Sequence, residues 1–176
     1  MSVDEIVERV RSSAAPHVVM TGGEPMLHEE LVQLTAAIQS LGKLITIETA
    51  GTIDRPVSCD LMAISPKLSN SVPVDAVWTD RHDRERHQPD VIRKLAGRYN
   101  AVLKFVIDVP QDVDEVRRYL SEFPEIPAGV VWLMPQARTR EQLAEKSDWI
   151  AQAAAEHGFR FSSRLHIERF GNLRGT

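Results

Sequence analysis

Six short apolar runs, separated by segments with helical periodicity, constrain the fold of this chain more than any other feature of its sequence. Apolar runs without clean alternation are typical of strands that are covered on both faces. Strands that alternate with helices predict βαβ units and a mostly parallel α/β sheet, and an open sheet and an incomplete barrel both fit. The predicted strands span residues 17–21, 44–49, 61–65, 102–107, 130–134 and 160–166.

The predicted helices begin at residues that can cap the free amide groups of a first helical turn. Ser2 and Thr139 are each followed three residues later by Glu or Gln, which is the capping-box pattern. Pro89 can open a further helix, and Asp112 is predicted to cap another. Apolar spacing predicts the remaining helix over residues 31–41.

Polar or glycine-containing segments follow most of the predicted strands. In parallel α/β folds, ligands bind beyond the carboxyl ends of the strands. We therefore expect these segments to form one site at one edge of the sheet. They are TGGEP at 21–25, ETAGT at 48–52, SPK at 65–67, MPQ at 134–136 and RLH at 164–166.

The first two segments combine accessible backbone with a carboxylate. Gly22 and Gly23 carry no Cβ, so a ligand can approach the main chain closely, and Glu24 is suited to an ammonium group. Glu48, at the end of a buried strand, must be paired or face a ligand, and Gly51 again leaves the backbone accessible. The alternative for both segments is a structural turn between a strand and a helix.

The other three segments offer hydroxyl, amide and cationic groups. Ser65 and Lys67 flank a proline, and Lys67 can hold a carboxylate or remain solvated. Gln136 can bind a base edge or a ribose, or can satisfy the loop backbone. Arg164 and His166 can bind an anionic or purine-like ligand, although a lone histidine is as often structural.

Two further features contain reactive residue types without a matching pattern. The segment 80–87 contains His82 and His87, which are not a helical i, i+4 pair and have no evident third metal ligand, so a solvated loop is predicted. Cys59 has no base pattern beside it and is interpreted as a buried or half-buried thiol.

Composition excludes several classes of protein. A hydrophobic fraction of 43% over 176 residues argues against disorder, and one cysteine excludes an internal disulfide framework. No apolar run approaches the ~20 residues of a membrane span, and the start does not resemble a secretion signal. The net charge of −4 gives no reason to expect nucleic-acid binding. We expect a cytoplasmic protein that binds neither membrane nor nucleic acid.

Taken together, the segments resemble a known family. TGGEP at 21–25 resembles the glycine-rich motif of radical S-adenosylmethionine enzymes. This motif is followed by ETAGT, SPK, MPQ and the tail RLHIERFGNLRGT at 164–176. The five motifs, in this order along the chain, resemble those of the 7-carboxy-7-deazaguanine synthase family. The resemblance covers nearly the whole chain. It implies one domain over residues 1–176, folded as an incomplete (βα) barrel whose first strand is missing.

The resemblance implies a reaction, cofactors and partners. The family converts 6-carboxy-5,6,7,8-tetrahydropterin to 7-carboxy-7-deazaguanine with loss of ammonia, in the biosynthesis of queuosine and other 7-deazapurines. It uses S-adenosylmethionine, a [4Fe-4S] cluster and Mg²⁺, so the cofactors supply the difficult chemistry and the protein supplies orientation. The implied partners are the pterin substrate, a reductant such as flavodoxin and a second copy of the chain.

The same resemblance implies roles for individual residues. The residues expected to bind S-adenosylmethionine are Gly22, Gly23, Glu24, Gly51, Ser65, Lys67 and Gln136. The residues expected to bind the pterin are Thr49, His166 and Thr176. We expect no catalytic residue in this chain beyond those that position the cofactor.

One departure from the family pattern concerns the cluster. The family holds it with three closely spaced cysteines, whereas this chain has only Cys59. As written, the chain should not assemble the usual cluster and should be inactive without a cluster-binding segment. Either it is an amino-terminally truncated member, or it is a cluster-less module that binds S-adenosylmethionine or a nucleotide without redox activity. The intact cofactor motifs favour truncation.

Overall fold

The computed structural model of the protein describes residues 1–71 and 87–171. The chain divides into two compact units, each described here by itself. The amino-terminal unit comprises Met1–Ser65 and Gln88–Val102, and the carboxy-terminal unit comprises Pro66–His87 and Leu103–Thr176. The prediction of one domain over residues 1–176 stays a prediction.

The amino-terminal unit is a parallel sheet with helices between its strands. Strand β1 pairs with β2 and β2 pairs with β3, both in parallel, which confirms the predicted βαβ arrangement. The elements, in chain order, are α1 Val3–Ser12, β1 His17–Met20, α2 Leu31–Ser40, β2 Leu44–Thr49, β3 Leu61–Ile64 and α3 Pro89–Arg98.

The carboxy-terminal unit repeats this arrangement, and it contains most of β4. Strand β4 pairs with β5 and β5 pairs with β6, again in parallel. The elements are β4 Ala101–Ile107, α4 Pro110–Ser121, β5 Val131–Pro135, α5 Arg140–Glu156, β6 Arg160–Phe161 and α6 Leu165–Phe170. In the described residues, no helix is both long and apolar enough to cross a bilayer.

Strand β2 is buried on both faces, as its mainly apolar run predicts. In β2, Ile45, Thr46 and Ile47 are all buried in succession. Burial of each large apolar side chain contributes about 1.5–3 kcal/mol, so these runs supply much of the stability of the unit. Strand β1 is less covered, and the Val19 side chain is 50% exposed.

Three of the predicted helix starts are confirmed. Ser2 caps α1: its hydroxyl accepts from the Glu5 amide at 3.2 Å, and the Glu5 carboxylate accepts from the Ser2 amide at 2.7 Å. Pro89 is the first residue of α3, where its missing N–H costs nothing. Thr139 caps α5 by accepting from the Gln142 amide at 3.3 Å.

The predicted cap at Asp112 is wrong by three residues. Helix α4 begins at Pro110, and Asp112 lies in its first turn with only 4% of its surface exposed. Its carboxylate accepts from the amides of Asp108 at 2.6 Å and Val109 at 3.1 Å, and from the Asn70 side chain at 2.8 Å. The aspartate therefore caps by reaching backwards from inside the helix, while the proline opens it.

The last predicted strand, 160–166, is also wrong in its second half. Strand β6 ends at Phe161, although the Ser162 amide still donates to the Leu133 carbonyl at 2.9 Å. The chain then forms α6 because Ile167 can bury its side chain with Ala137 and Leu143. A long-range apolar contact thus decides the local structure of this segment.

Candidate functional site

The carboxyl edge of the amino-terminal unit carries the largest group of predicted site residues. Strands β1, β2 and β3 are parallel and adjacent, so the segments that follow them emerge at the same edge. The Ser65 amide, for example, donates to the Thr49 carbonyl at 2.7 Å. The residues at this edge are Gly22, Gly23, Glu24, Thr49, Gly51 and Ser65.

Glu24 joins the loop after β1 to the loop after β2. One carboxylate oxygen accepts from the Thr49 hydroxyl at 2.8 Å and from the Met26 amide at 3.0 Å. The other oxygen accepts from the Ala50 amide at 2.7 Å. An ionised carboxylate has about four lone-pair sites, so these bonds leave about one for a ligand. The predicted contact of Glu24 with an ammonium group stays a prediction, and the link between loops is a role that the sequence did not reveal.

Thr49 connects Glu24 to the next turn. It is 3% exposed, and its hydroxyl donates to Glu24 while accepting from the Gly51 amide at 3.0 Å. Its proposed contact with a pterin stays a prediction. The hydrogen bonds show that Thr49 and Glu24 form one rigid polar unit at this edge.

Gly51 is required by packing as well as by backbone conformation. It is buried and has φ +77°, a region that favours glycine. A Cβ at this position would lie 2.4 Å from Ile92 Cδ1 and 2.7 Å from Ile64 Cγ2. The turn after β2 therefore packs directly on the helix α3, and no side chain fits between them.

Gly22 and Gly23 are exposed, and a Cβ added to either would meet nothing within 4 Å. Gly22 has φ +149°, which also disfavours other residues. Their backbone is open to a ligand, as the sequence predicts. Beside them, the Thr21 hydroxyl donates to Glu48 at 3.0 Å, so the carboxylate at the end of β2 is paired.

A cavity of about 720 Å³ opens beside this loop. Its walls are the start of α1, the carboxyl end of β1, the loop 21–25 and the start of α2, and Val19 and Leu31 contribute apolar surface to it. Cavities of this size hold small organic ligands and cofactors. Backbone from Gly22 and Gly23 lines it.

The loop after β5 holds Gln136 in a fixed backbone position. The Gln136 amide donates to the Ile107 carbonyl at 2.7 Å, and its carbonyl accepts from Lys146 Nζ at 3.0 Å. Lys146 also forms a short ion pair with Asp108. Within the part of the chain that the structure describes, nothing is hydrogen-bonded to the side-chain amide of Gln136. That amide is therefore free to bind a ligand, and the sequence did not reveal the two residues that hold its backbone.

Two other predicted site residues, Lys67 and His166, lie exposed in the carboxy-terminal unit. Lys67 lies exposed after β3, and His166 lies exposed in the first turn of α6 instead of at a strand end. Thr176 and residues 80–86 lie outside the described residues. His87 is described, and its Nε2 lies 3.0 Å from a Glu122 carboxylate oxygen. The described residues include no group of His, Cys, Asp and Glu that could hold a metal ion.

Cys59 is a half-buried thiol of low reactivity, in agreement with its interpretation from sequence. Burial and, to a lesser extent, the charge of Asp60 raise the pKa of its thiol from 9.0 to about 11. The thiolate is the reactive form. Cys59 is therefore unsuited to nucleophilic chemistry near neutral pH.

This shift predicts slow alkylation of Cys59. At pH 8 the folded chain should react with iodoacetamide about a hundredfold more slowly than the urea-unfolded chain, because two pKa units reduce the thiolate fraction by that factor. Intact-mass measurements over time would give both rates, with Cys59→Ser as the unreactive control. Equal rates in the two states would contradict the raised pKa.

Comparison with known proteins identifies the family. The chain is 39% identical over 180 residues to the 7-carboxy-7-deazaguanine synthase of Halobacterium salinarum, and the match covers 95% of this chain and 70% of that protein. This chain belongs to the 7-carboxy-7-deazaguanine synthase family. The synthases of Rhodopirellula baltica and Pyrobaculum aerophilum are 36% and 37% identical, with 99% of this chain covered in each case and 69% and 75% of those proteins. No family model matches the chain.

The fold of a solved structure agrees with this assignment. QueE from Escherichia coli matches with a TM-score of 0.66 at 21% identity, over 93% of this chain. The chain spans 64% of that structure, which is less than two thirds of its length. The predicted fold class and the family resemblance are confirmed. The 7-carboxy-7-deazaguanine synthases are radical S-adenosylmethionine enzymes, a class that uses S-adenosylmethionine and a [4Fe-4S] cluster.

Proposed function

We propose that this chain carries the S-adenosylmethionine and substrate sites of a 7-carboxy-7-deazaguanine synthase. The reaction is the conversion of 6-carboxy-5,6,7,8-tetrahydropterin to 7-carboxy-7-deazaguanine with loss of ammonia, which makes the enzyme a carbon–nitrogen lyase. The observation that carries this proposal is the 39% identity to the Halobacterium salinarum synthase across 95% of the chain. The geometry at the carboxyl edge of the amino-terminal unit supports it.

The loop after β1 suits the methionyl end of S-adenosylmethionine. Gly22 and Gly23 present exposed backbone groups, and Glu24 keeps about one acceptor site for the ammonium group. Because Glu24 is fixed by three hydrogen bonds, it would meet the ligand without losing side-chain freedom on binding. Gly51 would contribute backbone alone, since its turn is closely packed.

Gln136 suits the adenosyl side of the same cofactor. Its side-chain amide carries both a donor and an acceptor, which matches the edge of an adenine or the hydroxyls of a ribose. Its backbone is held by Ile107 and Lys146, so the amide is presented from a fixed position. Ser65 and Lys67 are proposed to contact the ribose or the carboxylate, and Thr49, His166 and Thr176 to contact the pterin.

The residues of this chain do not fit the [4Fe-4S] cluster of the class. The usual site needs three cysteine thiolates, and the 176 residues contain one cysteine. We therefore propose that the chain as given is inactive without a cluster-binding segment.

The other properties rest on the family resemblance. We propose Mg²⁺ as a further cofactor, a reductant such as flavodoxin as electron donor, a homodimer as the assembly and the cytoplasm as the location. The product would enter queuosine or another 7-deazapurine, through which it would contribute to tRNA modification.

A second candidate function is supported by the single cysteine. In this alternative, the chain is a cluster-less module that binds S-adenosylmethionine or a nucleotide without redox activity. The two proposals differ in their need for iron, because only the synthase requires a cluster for turnover.

The deciding experiment uses protein purified from its source without oxygen. We expect it to convert 6-carboxy-5,6,7,8-tetrahydropterin, with S-adenosylmethionine and dithionite, to a product with the mass of 7-carboxy-7-deazaguanine. We also expect an intact mass above the 19.8 kDa of this sequence and a peptide with three cysteines. A mass of 19.8 kDa, no product and iron-free binding of S-adenosylmethionine in calorimetry would instead establish the binding module.

A further inference from the structure

Arg55 holds the short turn into which the loop 21–25 continues. Its Nε donates to the Met26 carbonyl at 2.5 Å, and its Nη2 donates to the Leu27 carbonyl at 3.1 Å. Met26 and Leu27 are the last two residues of a single 3₁₀ turn, Pro25–Leu27. The last carbonyls of a helical segment lack partners within it, and a cation satisfies them well. The Arg55 side chain is only 23% exposed, so water competes little for these bonds.

The other end of the same turn is held by Glu24. Its carboxylate accepts from the Met26 amide at 3.0 Å. A carboxylate thus satisfies the amide end of the turn and a guanidinium satisfies its carbonyl end, which is the favourable arrangement of charges on a helical segment. The Met26 side chain is fully buried and anchors the turn in the core. The loop 21–25 therefore leads into a turn that two charged groups and one apolar side chain fix.

Arg55 is itself fixed at the position from which it reaches the turn. The Tyr99 hydroxyl, at the end of α3, lies 3.1 Å from the carbonyl oxygens of Arg55 and Val57, to which it donates. The Glu29 carboxylate lies 3.8 Å from Arg55 but is 87% exposed, so this surface ion pair contributes little. The two carbonyls of the turn are therefore the main partners of the guanidinium.

We propose that Arg55 is a positioning residue for the ligand of the loop 21–25. This inference rests on the proposed function, in which that loop binds the methionyl end of S-adenosylmethionine. Leu27, whose carbonyl accepts from Arg55, lines the cavity beside the loop together with Gly22 and Gly23. Arg55 does not line the cavity, so it acts through the backbone that it holds. A loop that is fixed before binding loses less conformational freedom when the ligand binds.

The test measures affinity and loop order in the same variants, made in the protein at the length found in its source. Arg55→Met should raise the Kd for S-adenosylmethionine about tenfold, because the ligand must then order the loop. The amides of Met26, Leu27 and His28, which are hydrogen-bonded within the turn, should exchange about tenfold faster, while those of β2 should not change. Arg55→Lys should stay within about threefold of the wild type in both measurements, since an ammonium group can also donate to two carbonyls.

Arg98→Met is the matched control. Arg98 donates at 2.8 Å to the carboxylate of Asp54, the residue before Arg55, and its guanidinium lies over the Tyr99 ring. Its removal should loosen the same segment of the chain without releasing the turn, so the Kd for S-adenosylmethionine should change less than about twofold. If Arg55 had only a general structural role, Arg55→Met and Arg98→Met would both lower stability and would bind with equal affinity.

The possible outcomes separate this inference from the proposed function. Wild-type protein that binds no S-adenosylmethionine would contradict the proposed function itself, even if hydrogen exchange shows that Arg55 orders the turn. Wild-type protein that binds, with an Arg55→Met variant of equal affinity, would overturn the positioning role. Equal losses of affinity in Arg55→Lys and Arg55→Met would also overturn it, because donation to the carbonyls would then not matter. If Arg55→Met does not fold, Arg55→Gln replaces it: its amide can donate to one carbonyl, so we expect a Kd raised about threefold, and an unchanged Kd would overturn the proposal.

Discussion

Replacing Gly51 with alanine should lower the free energy of unfolding by about 2–4 kcal/mol. The new Cβ would lie 2.4 Å from Ile92 Cδ1 and 2.7 Å from Ile64 Cγ2, in a backbone with φ +77°. Both isoleucines are fully buried, so they cannot move aside without disturbing the core. Urea unfolding followed by circular dichroism would measure the change.

Gly97→Ala is the matched control for this prediction. Gly97 lies in α3, the helix that contacts the Gly51 turn, and an added Cβ there meets nothing within 4 Å. We expect this variant to be unchanged or more stable by up to about 1 kcal/mol, because alanine favours a helix. In a Gly51→Ala background, Ile92→Val should recover part of the loss by removing the closest atom. An unchanged unfolding midpoint in Gly51→Ala would show that the turn is loosely packed.

Replacing Glu24 with alanine should affect both stability and cofactor binding. The carboxylate accepts hydrogen bonds from Thr49, Met26 and Ala50, and their loss should cost about 2–4 kcal/mol. It should also weaken binding of S-adenosylmethionine by more than about 1 kcal/mol, because the proposed ammonium acceptor disappears. The Glu24→Gln variant should lose less stability and less affinity than Glu24→Ala. It should still be weaker than the wild type, because its amide nitrogen must face one of the three donors.

Glu8→Ala is the control for Glu24. Glu8 lies exposed on α1 and pairs with Arg11 at 3.5 Å, a surface ion pair that contributes about 0–1 kcal/mol. Chemical denaturation and calorimetry with S-adenosylmethionine would give the two effects separately. A Glu24→Ala variant that is destabilised but binds with wild-type affinity would restrict Glu24 to the link between loops.

Local signals were enough to predict most of the elements. The capping pattern at Ser2 and the proline at Pro89 each mark a helix start, because a cap depends on residues within one turn. The mainly apolar runs of β2 and β3 likewise predict buried strands, since no charged residue interrupts their centres. The glycine-rich loop 21–25 was expected at the end of β1 and lies there.

Two local predictions failed because distant contacts compete with local patterns. Asp112 resembles a cap, but it reaches back to the amides of Asp108 and Val109 and is held by Asn70 from another part of the chain. Residues 160–166 resemble a strand, but β6 ends at Phe161 and the helix α6 that follows buries Ile167 with Ala137 and Leu143. Neither contact can be read from neighbouring residues.

The sequence by itself determined the α/β class, the family and the order along the chain of the loops that follow the strands. Periodicity, caps and motifs each depend on residues that are close together in the sequence. Only the tertiary structure decided what the site residues contact. It made Glu24 a link between two loops and required glycine at Gly51 through Ile92. It also placed Arg55 against the turn that follows β1, and Arg164 against the loop that follows β5. These features join residues that are far apart in sequence, so they depend on how the strands and helices pack.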